Sequence, residues 1–152
     1  MWSMTLWYNQ VDKFEFGGYE MLEELIKKME DMIDSDDFEM VQEECVEEIE
    51  RTDLGLSAVE PLLKLMERHP LADFGMPGAI VHFAERFYKQ GYEDMLFQSV
   101  KNSPTIHTVW MLNRICNDKN SDDKFRELLA ETAERSDIDI AIVESAKDFL
   151  ED

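Results

Sequence analysis

The sequence predicts an all-α domain of about eight short helices, and three observations lead there. Apolar residues recur at helical spacing through most of the 152 residues. Serine, aspartate, proline and glycine punctuate that pattern at intervals of one short helix. No strand pattern competes strongly; the nearest, Leu6 to Phe16 with its several aromatics, stays unassigned. With 44% hydrophobic residues the chain can build its own core, so residues 1–152 form a single domain. Successive helices pair into units that are short and irregular for HEAT or armadillo repeats, but such a stack is the expected architecture, with a plain helical bundle as the alternative.

Each helix has its own boundary signals. Gly17 and Gly18 precede the stripe Met21, Leu22, Leu25, Ile26, Met29 and Ile33, which predicts a first helix over Tyr19 to Asp34. Ser35 or Asp36 caps a second, carrying Phe38, Val41, Cys45, Val46 and Ile49 and ending near Arg51. Ser57 and Glu60 have capping-box spacing, and Pro61 is tolerated in the first turn of a third helix that stops at His69-Pro70. Pro77 opens a fourth that runs to Gly91, and Tyr92 to Lys101 make a fifth. Ser103-Pro104 starts a sixth helix through Asn117, Ser121 a seventh over Asp122 to Arg135, and Ser136 or Asp137 an eighth that reaches Leu150.

Charge separates this chain from an average domain. Thirty-five acidic side chains against fifteen lysines and arginines give a net charge of −20. Residues 1–60 hold 18 acidic and 4 basic groups, a net of −14; residues 61–152 hold 17 and 11, a net of −6. The N-terminal part therefore makes most of the field, with Asp34, Asp36, Asp37, Glu39, Glu43, Glu44, Glu47, Glu48 and Glu50 nearly free of cations. Apolar residues at helical spacing among them make this an amphipathic helix with an acidic outer face. Such a potential attracts basic partners and disfavours direct nucleic-acid binding, which uses clustered lysine and arginine. The alternative is acidity that serves solubility alone.

No stretch of about 18 apolar residues is present to span a membrane, and the N-terminus lacks a basic start and a long apolar run, so a cytoplasmic location is expected. Cys45 and Cys116 lie in separate apolar stripes, as free buried thiols do.

A search for catalytic or metal chemistry yields little. His82 and Glu85 stand one helical turn apart, but neither the two Glu-x-x-His motifs of a di-iron bundle nor a two-histidine zinc motif exists. His69 and His107 are isolated. Asp34 to Glu39 places Phe38 and Glu39 where a calcium loop wants a short polar ligand and a glycine. Gly75-Met76-Pro77-Gly78 lacks the length and lysine of a phosphate loop. No metal, cofactor or enzymatic activity is expected.

What remains is a polar and aromatic strip. On the sixth helix Ile106, Trp110, Asn113 and Asn117 follow one ridge beside the apolar side of Val109, Leu112, Ile115 and Cys116, with Arg114 adjacent. Glu85 on the fourth helix and Tyr92 on the fifth complete a candidate anchoring patch of Glu85, Tyr92, Trp110 and Asn113, since tryptophan, tyrosine and arginine are enriched at binding hot spots. Glu44 and Glu47 are candidate steering charges. Against this, a tryptophan such as Trp110 is more often a core residue, and an asparagine such as Asn113 more often ties a helix to a neighbouring loop.

The run Gly75-Met76-Pro77-Gly78-Ala79-Ile80-Val81-His82-Phe83-Ala84-Glu85, then Gly91-Tyr92-Glu93, Ser103-Pro104-Thr105, and Thr108-Val109-Trp110-Met111-Leu112-Asn113-Arg114-Ile115, resembles bacterial immunity proteins of polymorphic-toxin and contact-dependent growth-inhibition systems. It covers about a third of the chain. The resemblance implies a small cytoplasmic binder, in some cases an armadillo- or HEAT-like one, that neutralises a cognate toxin domain, frequently a nuclease; an EndoU-type ribonuclease is the expected class. Independently, an acidic protein can substitute electrostatically for RNA or DNA at a basic active site. Two other functions remain open: a helical adaptor for an unrelated protein, and a hydrolase whose carboxylates converge only in three dimensions.

Overall fold

The computed structural model describes the backbone of residues 2–152 and the side chains of residues 17–152. All the regular structure in that region is helical: α1 (Trp2–Asp31), α2 (Phe38–Glu50), α3 (Val59–Arg68), α4 (Ala79–Glu85), α5 (Tyr92–Asn102), α6 (Ile106–Cys116), α7 (Asp123–Ala133) and α8 (Ile140–Glu151), with a 3-10 turn at Gly55–Ala58 before α3. Among the described residues no helix is long and apolar enough to cross a membrane.

The packing follows chain order in pairs. α1 packs on α2, α3 touches α4, α5 packs on α6, and α7 on α8. The pairs stack because α1, α3, α5 and α7 neighbour one another along one row, while α2 meets α4 and α6 meets α8 in the other. The loosest step is from α4 to α6. Between the rows runs a core of Leu22, Met29, Ile49, Leu62, Met66, Ile80, Leu96, Met111 and Leu129, each at most 1% exposed. An amphipathic helix too short to be stable alone gains its stability from such burial.

Several expected boundaries move. The unassigned segment Leu6 to Phe16 is helical and continuous with α1, so Gly17 and Gly18 lie inside a helix instead of before one. A glycine within a helix costs only about 1 kcal/mol. At Gly18 the missing side chain leaves room for Leu54, whose Cδ2 would stand 3.3 Å from an added Cβ. The Ser57–Glu60 capping box does not form, because the 3-10 turn runs straight into α3 and Ala58 is its cap residue. Pro61 still falls in the first turn.

Pro77 lies outside α4, in a turn with a cis Met76–Pro77 peptide, and Gly78 is the cap residue. α4 then ends at Glu85, well short of Gly91. Turns fill the interval; Lys89 takes φ +64°, its N–H donates to the Glu93 carboxylate, and Gly91 at φ +116° opens α5. α6 is capped by Thr105 instead of Ser103: Thr108 N donates to Thr105 Oγ1 at 3.0 Å and Thr105 N to Thr108 Oγ1 at 2.9 Å. Asp122 caps α7 and Asp139 caps α8, one and two or three residues later than Ser121 and Ser136 or Asp137. Arg135 falls beyond α7, pairs with Asp137 at 2.8 Å, and donates to the Lys101 carbonyl in the last turn of α5 at 3.0 Å.

Candidate functional site

Two surfaces gather the residues singled out from the sequence. The first lies at the loose step between α4 and α6. Arg114 Nε donates to Glu85 Oε2 at 2.8 Å, and the Arg114 guanidinium sits 5.0 Å from the centre of the Trp110 ring. Both partners of the ion pair are partly exposed, and Trp110 is half-buried beneath the arginine. Beside them a groove of about 360 Å³ is lined by Glu85, Tyr88, Tyr92, Arg114, Ile115, Asn117 and Asp118. The Tyr88 hydroxyl donates to the Asp118 carboxylate, which pushes the tyrosine up to about 12 and draws the aspartate below its ordinary value.

Tyr92 differs from its expected place. It is 1% exposed and belongs to the core, so it is not a surface anchor. Its hydroxyl has no hydrogen-bond partner, and burial, reinforced by the nearby Glu85 and Glu93 carboxylates, raises its pKa. The tyrosine is therefore neutral throughout the ordinary pH range. Asn113 is half-buried one residue before Arg114, outside the groove lining. The structure thus unites Glu85, Trp110 and Arg114 as a strut between neighbouring helices, with Tyr92 under it.

The second surface is the outer face of α2. Phe38, Val41, Gln42, Cys45, Val46 and Ile49 point inward. Glu39, Met40, Glu43, Glu44, Glu47 and Glu50 are exposed, as helical spacing requires. Glu39, Glu43, Glu47 and Glu50 line one side of a groove of about 450 Å³ whose other side is Met76, Pro77, Gly78, Ala79 and His82. Among the described residues one cation pairs with this row, Arg86 with Glu50 at 3.3 Å. Glu44, one helical turn from Glu47, does not line the groove, so of the two steering candidates Glu47 alone borders it. A larger groove of about 790 Å³ between α1 and α3 mixes Glu23, Glu30, Glu60, Lys27, Lys64 and Arg68, and Glu30 there accepts from Arg68 Nε at 2.9 Å, so its charges largely neutralise one another.

The turn opposite α2 is built from three directions. Phe74, 1% exposed, stands edge-on to Phe38 at 5.6 Å and to His107 at 5.5 Å. Its N–H donates to His107 Nε2 at 2.9 Å and its carbonyl accepts from Gln42 Nε2 at 3.0 Å. The other end of the Gln42 amide accepts from Ile80 N at 3.1 Å. Gln42 and His107 escape sequence reading as site residues, although a glutamine within the apolar stripe of α2 was a usable signal: a buried amide must find partners.

Burial raises both thiols, Cys45 and Cys116, above their ordinary value, the opposite of nucleophile activation. Among the described residues no three histidine, cysteine, aspartate or glutamate side chains converge to hold a metal ion. What the geometry offers is an exposed groove edged by dense negative charge. No family model, curated protein or solved structure is found to match the chain.

Proposed function

We propose that this chain is an immunity protein that binds a cognate toxin domain and neutralises it without catalysis, acting in the cytoplasm. The toxin is a basic nuclease, with an EndoU-type ribonuclease as the first class to try. The observation that carries this reading is the row Glu39, Glu43, Glu47 and Glu50 on α2, exposed along one groove and met by a single described cation. A nuclease site that holds phosphates is basic, and a rigid row of carboxylates at helical spacing competes for it. Complementary charge also speeds encounter and penalises wrong partners. The resemblance of residues 75–85, 91–93, 103–105 and 108–115 to immunity proteins points the same way.

The test is to search beside this chain's gene for a reading frame with a toxin domain and to co-express that domain with this chain. Restored growth, together with stoichiometric inhibition of RNA or DNA cleavage by the purified pair, is the expected result. A chain that neither protects cells nor binds the domain has another function. Tight but salt-insensitive binding to an unrelated protein would identify an adaptor.

A further inference from the structure

Charge does not account for Met76, which stands 80% exposed at the tip of the turn from Gly75 to Gly78. A mobile loop would let so large an apolar side chain fold back onto the protein. This turn holds it out. Both feet are clamped by one buried side chain, Gln42, through the Phe74 carbonyl and the Ile80 N–H. His107 fixes the Phe74 N–H from α6, and the Gly75 N–H donates to Asp73 Oδ1 at 2.8 Å. Gly75 and Gly78 adopt φ +97° and +86°, and a Cβ on Gly78 would stand 1.8 Å from the Phe74 carbonyl oxygen. Met76 shares its groove with Glu39, Glu43 and Glu47. A second exposed methionine, Met40 at 54%, lies one helical turn from Glu43 and Glu44 on α2.

We propose that this turn is a prebuilt anchor that inserts Met76 into an apolar pocket on the basic toxin domain, while Glu39, Glu43 and Glu47 pair with lysines or arginines around that pocket. The inference rests on the immunity reading above. Charge complementarity selects the occupant: the carboxylate row repels acidic surfaces, including a second copy of this chain with its net charge of −20. Methionine is suited to the role because it is unbranched, polarizable and enriched at interfaces. Holding it in place before binding removes an ordering cost that would otherwise weaken the complex.

The experiment measures association and dissociation rates with a catalytically inactive form of the basic nuclease domain that the co-expression test identifies, for the parent, Met76→Ala, Met76→Leu and Glu43→Gln/Glu47→Gln. Met76→Ala is expected to raise the off-rate by about tenfold or more with an on-rate changed by less than about twofold. Met76→Leu keeps most of the affinity, and the double glutamine variant chiefly slows association. The exposed position of Met76 leaves the fold intact, which an unchanged thermal melt checks. If the parent binds and Met76→Ala leaves at the parental rate, the anchor is overturned and the immunity reading stands. If the parent neither binds the inactive domain nor inhibits the active nuclease, the immunity reading falls and takes the anchor with it.

Discussion

Arg114 links Glu85 to Trp110: its Nε reaches the Glu85 carboxylate at 2.8 Å, and its guanidinium lies 5.0 Å from the centre of the Trp110 ring. The contact joins α4 to α6, where the row of stacked helices is loosest. A planar guanidinium can do both at once, stacking through its face and donating through its edge.

A double-mutant cycle on Glu85→Gln and Arg114→Gln should give a coupling of about 0.5–1 kcal/mol in urea unfolding, the scale of a partly exposed pair. Trp110→Ala should cost about 2 kcal/mol, less than a fully buried tryptophan. Because Arg114 covers the ring, the partner's off-rate should change by less than about twofold in that variant. A folded Trp110→Ala protein that releases its partner much faster would place Trp110 in the interface.

Association with a basic partner should slow steeply as salt rises from about 50 to 500 mM, since exposed charges are screened beyond about 8 Å at physiological ionic strength. Glu47→Lys should lower the on-rate at low salt and lose its effect at high salt. Glu44→Lys should act similarly but more weakly, because Glu44 lies off the groove. A flat salt profile would assign the net charge of −20 to solubility.

Stability should fall on mild acidification through His107. Its Nε2 accepts the Phe74 N–H, so the ring is neutral, and burial holds its pKa below 6.5 despite the opposing pull of Asp73. The unfolded chain therefore takes up the proton first. The stabilisation is complete above about pH 6.5, declines as pH drops through that value, and levels off below the folded pKa. Glu30, Asp118 and Asp137, whose pKa values are lowered by hydrogen bonds to Arg68, Tyr88 and Arg135, lose their contributions separately in the more acidic carboxylate range. Urea midpoints between about pH 8 and 5 should show the histidine step, and His107→Gln should remove it.

Gly78→Ala should destabilise by about 2–3 kcal/mol, since the new Cβ meets the Phe74 carbonyl and the residue is held at φ +86°. Gln42→Leu should cost a similar amount, about 2–3 kcal/mol, by stranding a buried carbonyl and a buried N–H. Guanidinium unfolding measures both. Parental stability in either variant would show that the turn relaxes freely.

The helical class, the inward stripe of α2 and its acidic outer face were legible in the sequence because they depend on the 3.6-residue period alone. So was the pairing of successive helices, which short connections enforce. Helix starts were less legible. Ser103 and Thr105 are both competent caps, as are Ser121 and Asp122, and tertiary contacts choose between them: Ile106 N donates to the Pro70 carbonyl, which fixes where α6 begins. Local pattern likewise could not tell that Tyr92 faces the core, that Arg114 spans from Glu85 to Trp110, or that Gln42 and His107 meet at Phe74. The hydrogen bonds of Arg114 to Glu85 and of Gln42 and His107 to Phe74 and Ile80 join residues 29 to 38 positions apart, and only packing of the finished stack brings them within reach. Periodicity fixes which face of each helix is buried; the stacking of one pair on the next decides what that face meets.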